Sequence, residues 1–178
     1  MSTRCHVSRG VAAYAGKSAA KEPKKGDERM ETIEKYIDVN VPVRMAYNQW
    51  ARFEEFPRFT KGVEEVKRLD DTRLHWRAKI GGKKIAWDAK ISEQVPDKRI
   101  VWYTEGGVIH SGMVSFNPIG PNVTRVTLRI DYEPGGMLEG IGDKLGLVSR
   151  QVEGDLQRLK ESIEVRGSAL GALRSGKE

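Results

Sequence analysis

This 178-residue chain contains three histidines, the residue type that most often serves as a general acid or base. His110 is the one whose position favours chemistry, because it alternates in phase with Gly112, Val114 and Phe116. That phase would turn its imidazole toward the inner face of a sheet, where it could act as a general base or donate a hydrogen bond to a ligand carbonyl. The competing interpretation is a histidine at a strand end that faces solvent.

A base that removes a proton next to a ketone also needs donors for the oxygen that becomes negatively charged. Tyr103 and Tyr132 are the hydroxyls that could accompany His110 in this role. No second carboxylate is clearly predicted to point inward. His110 is therefore the one catalytic candidate, and its acid–base pair is incomplete.

The sequence predicts neither a metal nor a cofactor. His6 and His75 do not stand at metal-ligand spacing with His110, the single cysteine is Cys5, and no glycine-rich phosphate loop opens a helix after a strand. The net charge of +6 includes +4 from residues 1–29. Because nucleic-acid modules concentrate Lys and Arg on an element of the domain, we expect no nucleic-acid binding.

Three tryptophans, Trp76, Trp87 and Trp102, fall on consecutive segments with period-two alternation. An aromatic wall of this kind suits flat polycyclic or isoprenoid ligands, and the alternative is that the indoles simply fill the core. The predicted ligand-binding residues lie on the inner face of the sheet, at the cavity mouth or at the start of the last helix, although the strand phase around Tyr103 is ambiguous. They are Trp76, Trp87, Trp102, Tyr103, His110, Val114, Phe116, Leu128, Tyr132, Ile141 and Leu145.

The elements that would position these residues are seven strands and one long helix. From Met137 to Ile163 apolar residues recur every three or four positions, which predicts an amphipathic helix of about seven turns. Two short helices are predicted between the first and second strands. The strands are predicted over Glu31–Val39, Val63–Leu69, Arg73–Ile80, Lys84–Glu93, Arg99–Thr104, Ile109–Phe116 and Thr124–Tyr132. Short turns between strands favour an α+β fold in which a curved antiparallel sheet wraps around the last helix.

Several residue groups within 30–166 resemble the polyketide cyclase/dehydrase-like branch of the START-related superfamily. They are Ile33-Glu34-Lys35, Val41-Pro42-Val43, Tyr47, Trp50, 53–59, 63–66, Leu74-His75-Trp76, Trp87-Asp88-Ala89, 99–102, 124–128 and Tyr132-Glu133-Pro134. The resemblance implies the helix-grip fold, which is also that of birch-pollen-type allergens. Members of that family include aromatase/cyclases that fold poly-β-ketone chains, coenzyme Q-binding proteins and lipid-transfer domains.

These observations predict binding or transport of an apolar small molecule, such as a lipid, an isoprenoid quinone or a polyketide-like compound, between sheet and helix. One alternative is an aromatic polyketide cyclase/dehydratase. A second is a non-catalytic partner of a membrane or respiratory complex. We expect a monomer or weak homodimer that makes at most transient contact with a membrane.

The domain is predicted to span residues 30–166, preceded by a disordered basic tail (1–29) and followed by a flexible tail (167–178). Residues 1–29 lack a periodic apolar face that could offset their ordering entropy. Either translation begins at Met30, or the first residues are a targeting or partner-binding arm. The lone cysteine and the lack of a long apolar stretch predict a cytoplasmic protein.

Overall fold

The computed structural model describes residues 30–80, 82–104, 109–133 and 144–175, the side chains of 80, 144, 145 and 168–175 excepted. Seven strands lie within these ranges: β1 (Glu31–Val39), β2 (Val63–Arg68), β3 (Arg73–Ile80), β4 (Lys83–Val95), β5 (Arg99–Thr104), β6 (Ile109–Gly120) and β7 (Val123–Tyr132). Helix α1 (Val43–Trp50) and a 3-10 helix (Phe53–Arg58) separate β1 from β2, and α2 (Lys144–Ser175) follows β7. This order confirms the predicted α+β fold.

The seven strands form one antiparallel sheet with the order β1-β7-β6-β5-β4-β3-β2. The two strands that are consecutive at the start of the chain therefore lie at opposite edges, and α1 with the 3-10 helix spans the gap. Register shifts interrupt β2, β4 and both ends of β6. Such bulges bend strands and increase their twist, which is how this sheet acquires an inner, concave face.

Period-two alternation sends one set of side chains to that inner face. In β3, Leu74 and Ala78 are buried while Arg73 and Arg77 are exposed. The same pattern in the other strands builds the core together with the aromatic residues of α1 and the 3-10 helix. The fully buried strand residues are Val39, Leu74, Ile100, Val114, Thr124, Val126 and Tyr132.

Helix α2 lies across the inner face through the predicted apolar stripe. Val152, Leu156, Leu159 and Ile163 are all buried. Polar contacts hold the helix on both sides of this stripe. Toward β1, Lys35 Nζ lies 3.2 Å from Glu153 Oε2, and Lys160 Nζ donates to Asp38 O (2.6 Å). Just after β1, Asn40 N donates to Glu164 Oε1 (2.8 Å). Toward the 3-10 helix, Arg158 Nε donates to Phe59 O (2.9 Å).

Helix α2 continues twelve residues past Ile163, where the apolar periodicity predicts its end. The added turns include 167–175, which the sequence assigns to a C-terminal tail. Polar groups dock this part: Arg166 Nη1 lies 2.6 Å from Gln49 Oε1 and 2.8 Å from Glu55 Oε2. The predicted start at Met137 lies outside the described residues. No helix in the described part of the chain is long and apolar enough to cross a membrane.

Candidate functional site

A cavity of about 160 Å³ lies between α2 and the inner face of the sheet, mainly against β2–β5, with Ile109 of β6 and Leu128 and Ile130 of β7 also in its lining. Aromatic rings dominate its wall: the four tryptophans of the chain line it, together with three phenylalanines of the 3-10 helix segment. Aliphatic side chains from the strands and from α2 complete it. These rings are Trp50, Trp76, Trp87, Trp102, Phe53, Phe56 and Phe59.

Trp76 and Trp87 form the flattest part of this wall. They are register partners on β3 and β4, and their rings stack at a centroid distance of 6.1 Å with an interplanar angle of 6°. Phe56 meets Trp76 edge-on at 5.4 Å. The stacked pair is fixed by the sheet register and supported from the side, so it offers a preformed aromatic surface.

Two glycines let large side chains lie close to the backbone beside the cavity. A Cβ on Gly112 would overlap the indole of Trp102, its register partner on β5. A Cβ on Gly62 would overlap the amide of Gln151, which comes from α2. Because Gly112 has no side chain, the Trp102 indole can form one wall of the cavity. Because Gly62 has none, the Gln151 side chain fits at the cavity rim.

Polar side chains enter the lining mainly where α2 passes the segment before β2. Among the described lining residues, only Thr60, Gln151 and Asp155 carry a polar group other than an indole. Asp155 Oδ1 accepts the backbone N–H of Lys61 (3.1 Å) and also contacts the guanidinium of Arg158. Burial raises the pKa of the Asp155 carboxyl, and these two donors oppose that shift only in part.

Trp76 supplies one further polar atom. Its Nε1 is buried and has no hydrogen-bond acceptor among the described residues. A buried donor without a partner costs about 1–3 kcal/mol, so native proteins seldom leave one. A ligand with an acceptor oxygen would remove this cost.

The predicted ligand-binding residues divide into four groups, of which His110 and Tyr103 form the last. Trp76, Trp87, Trp102 and Leu128 line the cavity. Three others belong to the core and do not line it: Phe116 packs edge-on against Tyr47, Val114 is fully buried, and the Tyr132 hydroxyl donates to Glu31 Oε2 (2.8 Å). Ile141 lies outside the described residues, and Leu145 is described by its backbone alone.

His110 and Tyr103 stand away from the cavity. A register shift between Ile109 and Ser111 changes the alternation, so Ile109 lines the cavity in place of His110. The His110 side chain is 41% exposed, and its Nε2 lies 3.1 Å from Glu133 Oε2. Tyr103 is 36% exposed. The structure therefore places His110 outside the cavity lining, and the bulge is the physical reason.

Asp155 is the acidic residue of the cavity that the sequence analysis did not single out. It lies three residues after Val152 and four before Leu159, spacings that place it on the apolar side of α2. This position on the apolar side of the helix was the sequence signal that could have identified Asp155 as a cavity residue. His75, by contrast, pairs with Asp88 (2.6 Å) outside the cavity, as its strand phase predicts. Within the described ranges, no three potential metal ligands converge.

Comparisons with known proteins agree with this architecture. Residues 39–160 match the family model described as polyketide cyclase / dehydrase and lipid transport. The uncharacterized 17.2 kDa protein in the melC2-rnhH intergenic region of Streptomyces lincolnensis is 44% identical over 146 residues, covering 82% of this chain and 97% of that protein.

Two solved structures show the same fold. A protein from Thermus thermophilus is 25% identical with a TM-score of 0.67, over 76% of this chain and 99% of its own. The Zhui aromatase/cyclase of Streptomyces sp. R1128 has a TM-score of 0.67 at 16% identity, over 78% and 96%. The fold is thus the helix-grip, and the chain belongs to the polyketide cyclase/dehydrase and lipid transport family.

Proposed function

We propose that this protein binds an apolar small molecule in the cavity between α2 and the inner face of the sheet. The observation that carries the proposal is a cavity of about 160 Å³ walled by seven aromatic rings. Protein cores normally pack without voids of this size, because a void forfeits dispersion contacts. An apolar ligand would supply those contacts.

The volume favours a ligand part the size of one ring. An apolar cavity of about 150 Å³ binds benzene, whereas sites for drug-sized ligands measure about 300–1,000 Å³. A quinone ring or a single aromatic ring fits this cavity, while a folded polyketide chain exceeds it. The unpaired Nε1 of Trp76 further favours a ring that carries a ketone, ether or phenol oxygen.

Aromatic polyketide cyclisation is the second candidate, and Asp155 is the observation that favours it. Its carboxylate lines the cavity, burial raises its pKa, and Arg158 stands beside it as a cation for a developing negative charge. In this version Asp155 replaces His110 as the base. Binding remains our first choice because Asp155 is already held by two donors and, in the described lining, has no second acid or base beside it.

The proposal is tested by calorimetric titration with acetophenone and ethylbenzene, which share a ring and differ by one carbonyl oxygen. We expect both to bind and to change tryptophan fluorescence, because all four tryptophans line the cavity. Acetophenone should bind more tightly by about five- to tenfold, as one hydrogen bond to Trp76 would provide. Trp76→Phe should abolish that preference.

Ala89→Leu is the space-filling test. Ala89 is buried and lines the cavity, so the added carbons should displace ligand and lower affinity at least about tenfold while the domain stays folded. Val114→Ala is the matched control, because Val114 is buried outside the lining. It should lower stability and leave affinity nearly unchanged. No binding by either probe, nor by quinones, polyketides, sterols and fatty acids, would refute the proposal.

Turnover separates the second candidate from the first. With a linear poly-β-ketone thioester, a cyclase should yield a ring product that Asp155→Asn reduces by about 10²–10⁴-fold without loss of binding. A binding protein should leave the thioester to its uncatalysed products. His110→Ala should have little effect in either case, because His110 does not line the cavity.

A further inference from the structure

A second concavity, of about 330 Å³, adjoins the rim of the apolar cavity. Gly62 and Gln151 belong to the walls of both. The backbone of Gly62 and the side chain of Gln151 meet closely there, so the boundary between the two spaces is thin. A molecule longer than the cavity would extend past Gln151 into this second space, here called the basic depression.

The basic depression is lined by four cationic residues, brought from three parts of the fold. Lys61 precedes β2, Lys79 is the penultimate residue of β3, and Arg150 and Arg158 lie on α2. No carboxylate belongs to its described lining. Cations gathered from separate elements into a concave surface raise the local positive potential and attract anions.

Asp155, which lies beside this lining, offsets only part of the charge of Lys61 and Arg158. Asp155 lines the apolar cavity and contacts Arg158, and it accepts the backbone N–H of Lys61, not its ammonium group. Arg158 also donates to Phe59 O (2.9 Å), so it serves mainly to hold α2 against the 3-10 helix segment. We therefore take Lys61, which precedes β2, and Lys79 of β3 as the cations to test.

We propose that the ligand is an amphiphilic anion, whose ring lies in the apolar cavity and whose carboxylate or phosphate lies in the basic depression. This inference rests on the proposed binding function and specifies its ligand class. Because the two spaces share the wall formed by Gly62 and Gln151, one small molecule that passes Gln151 would span both. Gln151 lies where the apolar and charged parts of such a molecule would meet.

The test compares 5-phenylpentanoate with 5-phenylpentan-1-ol, which share a ring and a chain and differ in charge. Calorimetric titration at low ionic strength should show the acid binding at least about tenfold more tightly. This advantage should shrink as salt is raised from about 0.02 to 0.5 M, because salt screens exposed charges. Shorter phenylalkanoates should lose the advantage once the carboxylate no longer reaches past Gln151.

Two variants assign the effect to the basic depression. The double substitution Lys61→Gln with Lys79→Gln should lower the affinity for the acid to that for the alcohol and leave the affinity for the alcohol unchanged. Lys90→Gln is the control, because Lys90 is exposed on β4 and lines neither space. It removes one positive charge elsewhere on the surface and should have no effect.

The outcomes separate this inference from the function on which it rests. If acid and alcohol bind equally, or if the double variant weakens both alike, the anionic ligand class is wrong while apolar binding stands. If neither compound binds and ethylbenzene also fails, both proposals are overturned. Phosphate-bearing phenylalkyl monoesters, run in parallel, show whether the depression prefers a carboxylate or a phosphate.

Discussion

Gly112 shows how a residue without a side chain can shape this cavity. The indole of Trp102 lies directly over it, in space that any Cβ would enter. We expect Gly112→Ala to push the indole toward the cavity, lowering stability by about 1–3 kcal/mol and ligand affinity at least about tenfold. Denaturant unfolding and calorimetric titration measure the two effects.

Gly120 in the same strand provides the control for that experiment. A Cβ there would meet Val123 at an ordinary 3.7 Å. Gly120→Ala should leave the affinity unchanged. If Gly112→Ala binds ligand as well as the wild type does, Trp102 does not form a fixed wall.

Asp155 predicts a specific dependence of stability on pH. Burial raises the pKa of this carboxyl above its ordinary value of 3.8, so the native state holds the proton more tightly than the unfolded state. Its contribution to stability is therefore fully present below about pH 3.8 and is lost as the pH rises through the native pKa. As the pH rises through that window, the free energy of unfolding of the wild type should fall relative to that of Asp155→Asn. Above the window the difference between the two proteins should stay constant. Urea unfolding of both proteins from about pH 3.5 to 8 measures this, and the opposite trend would mean that Arg158 dominates.

Helix α2 depends on its apolar stripe for docking. Leu156 is 3% exposed and Val165, on the same helix, is 70% exposed. Leu156→Ala should cost about 2–4 kcal/mol through lost burial and an enlarged cavity. Val165→Ala should change the free energy of unfolding by less than about 0.5 kcal/mol. Denaturant unfolding measures both changes. If the two variants lose equal free energy of unfolding, the packing of α2 on the sheet does not depend on the apolar stripe.

Among the secondary-structure elements, sequence patterns predict some better than others. β3 and the part of β4 that pairs with it keep strict alternation, so the inward positions of Trp76 and Trp87 follow directly from it. The bulge at Ile109 has no marker in the sequence, and one extra residue is enough to move His110 off the inner face. Beyond Ile163, α2 is held at Arg166 by contacts with Gln49 and Glu55, which hydrophobic periodicity does not report.

At the scale of the whole molecule, the residues that form the hydrophobic core all belong to the described part of the chain, which begins at Met30. Residues 1–29 contain no periodic apolar face. We expect their deletion to leave the melting temperature within about one degree, because they offer no apolar surface to bury. Thermal unfolding of the full chain and of a protein starting at Met30 tests this, and a drop of several degrees would show that the first residues dock on the domain.

The placement of β1 at one edge of the sheet has a consequence for how the chain folds. β1 pairs with β7, and the bond from Tyr132 to Glu31 joins residues 101 positions apart. During synthesis β1 emerges first, yet its partner follows only after most of the domain, roughly 5–20 s later at about 5–20 residues per second. Until then Ile33 and Val39 have no sheet to cover them. Closing so long a loop is slow, so β1 should be the last strand to gain protection in pulse-labelled hydrogen exchange during refolding.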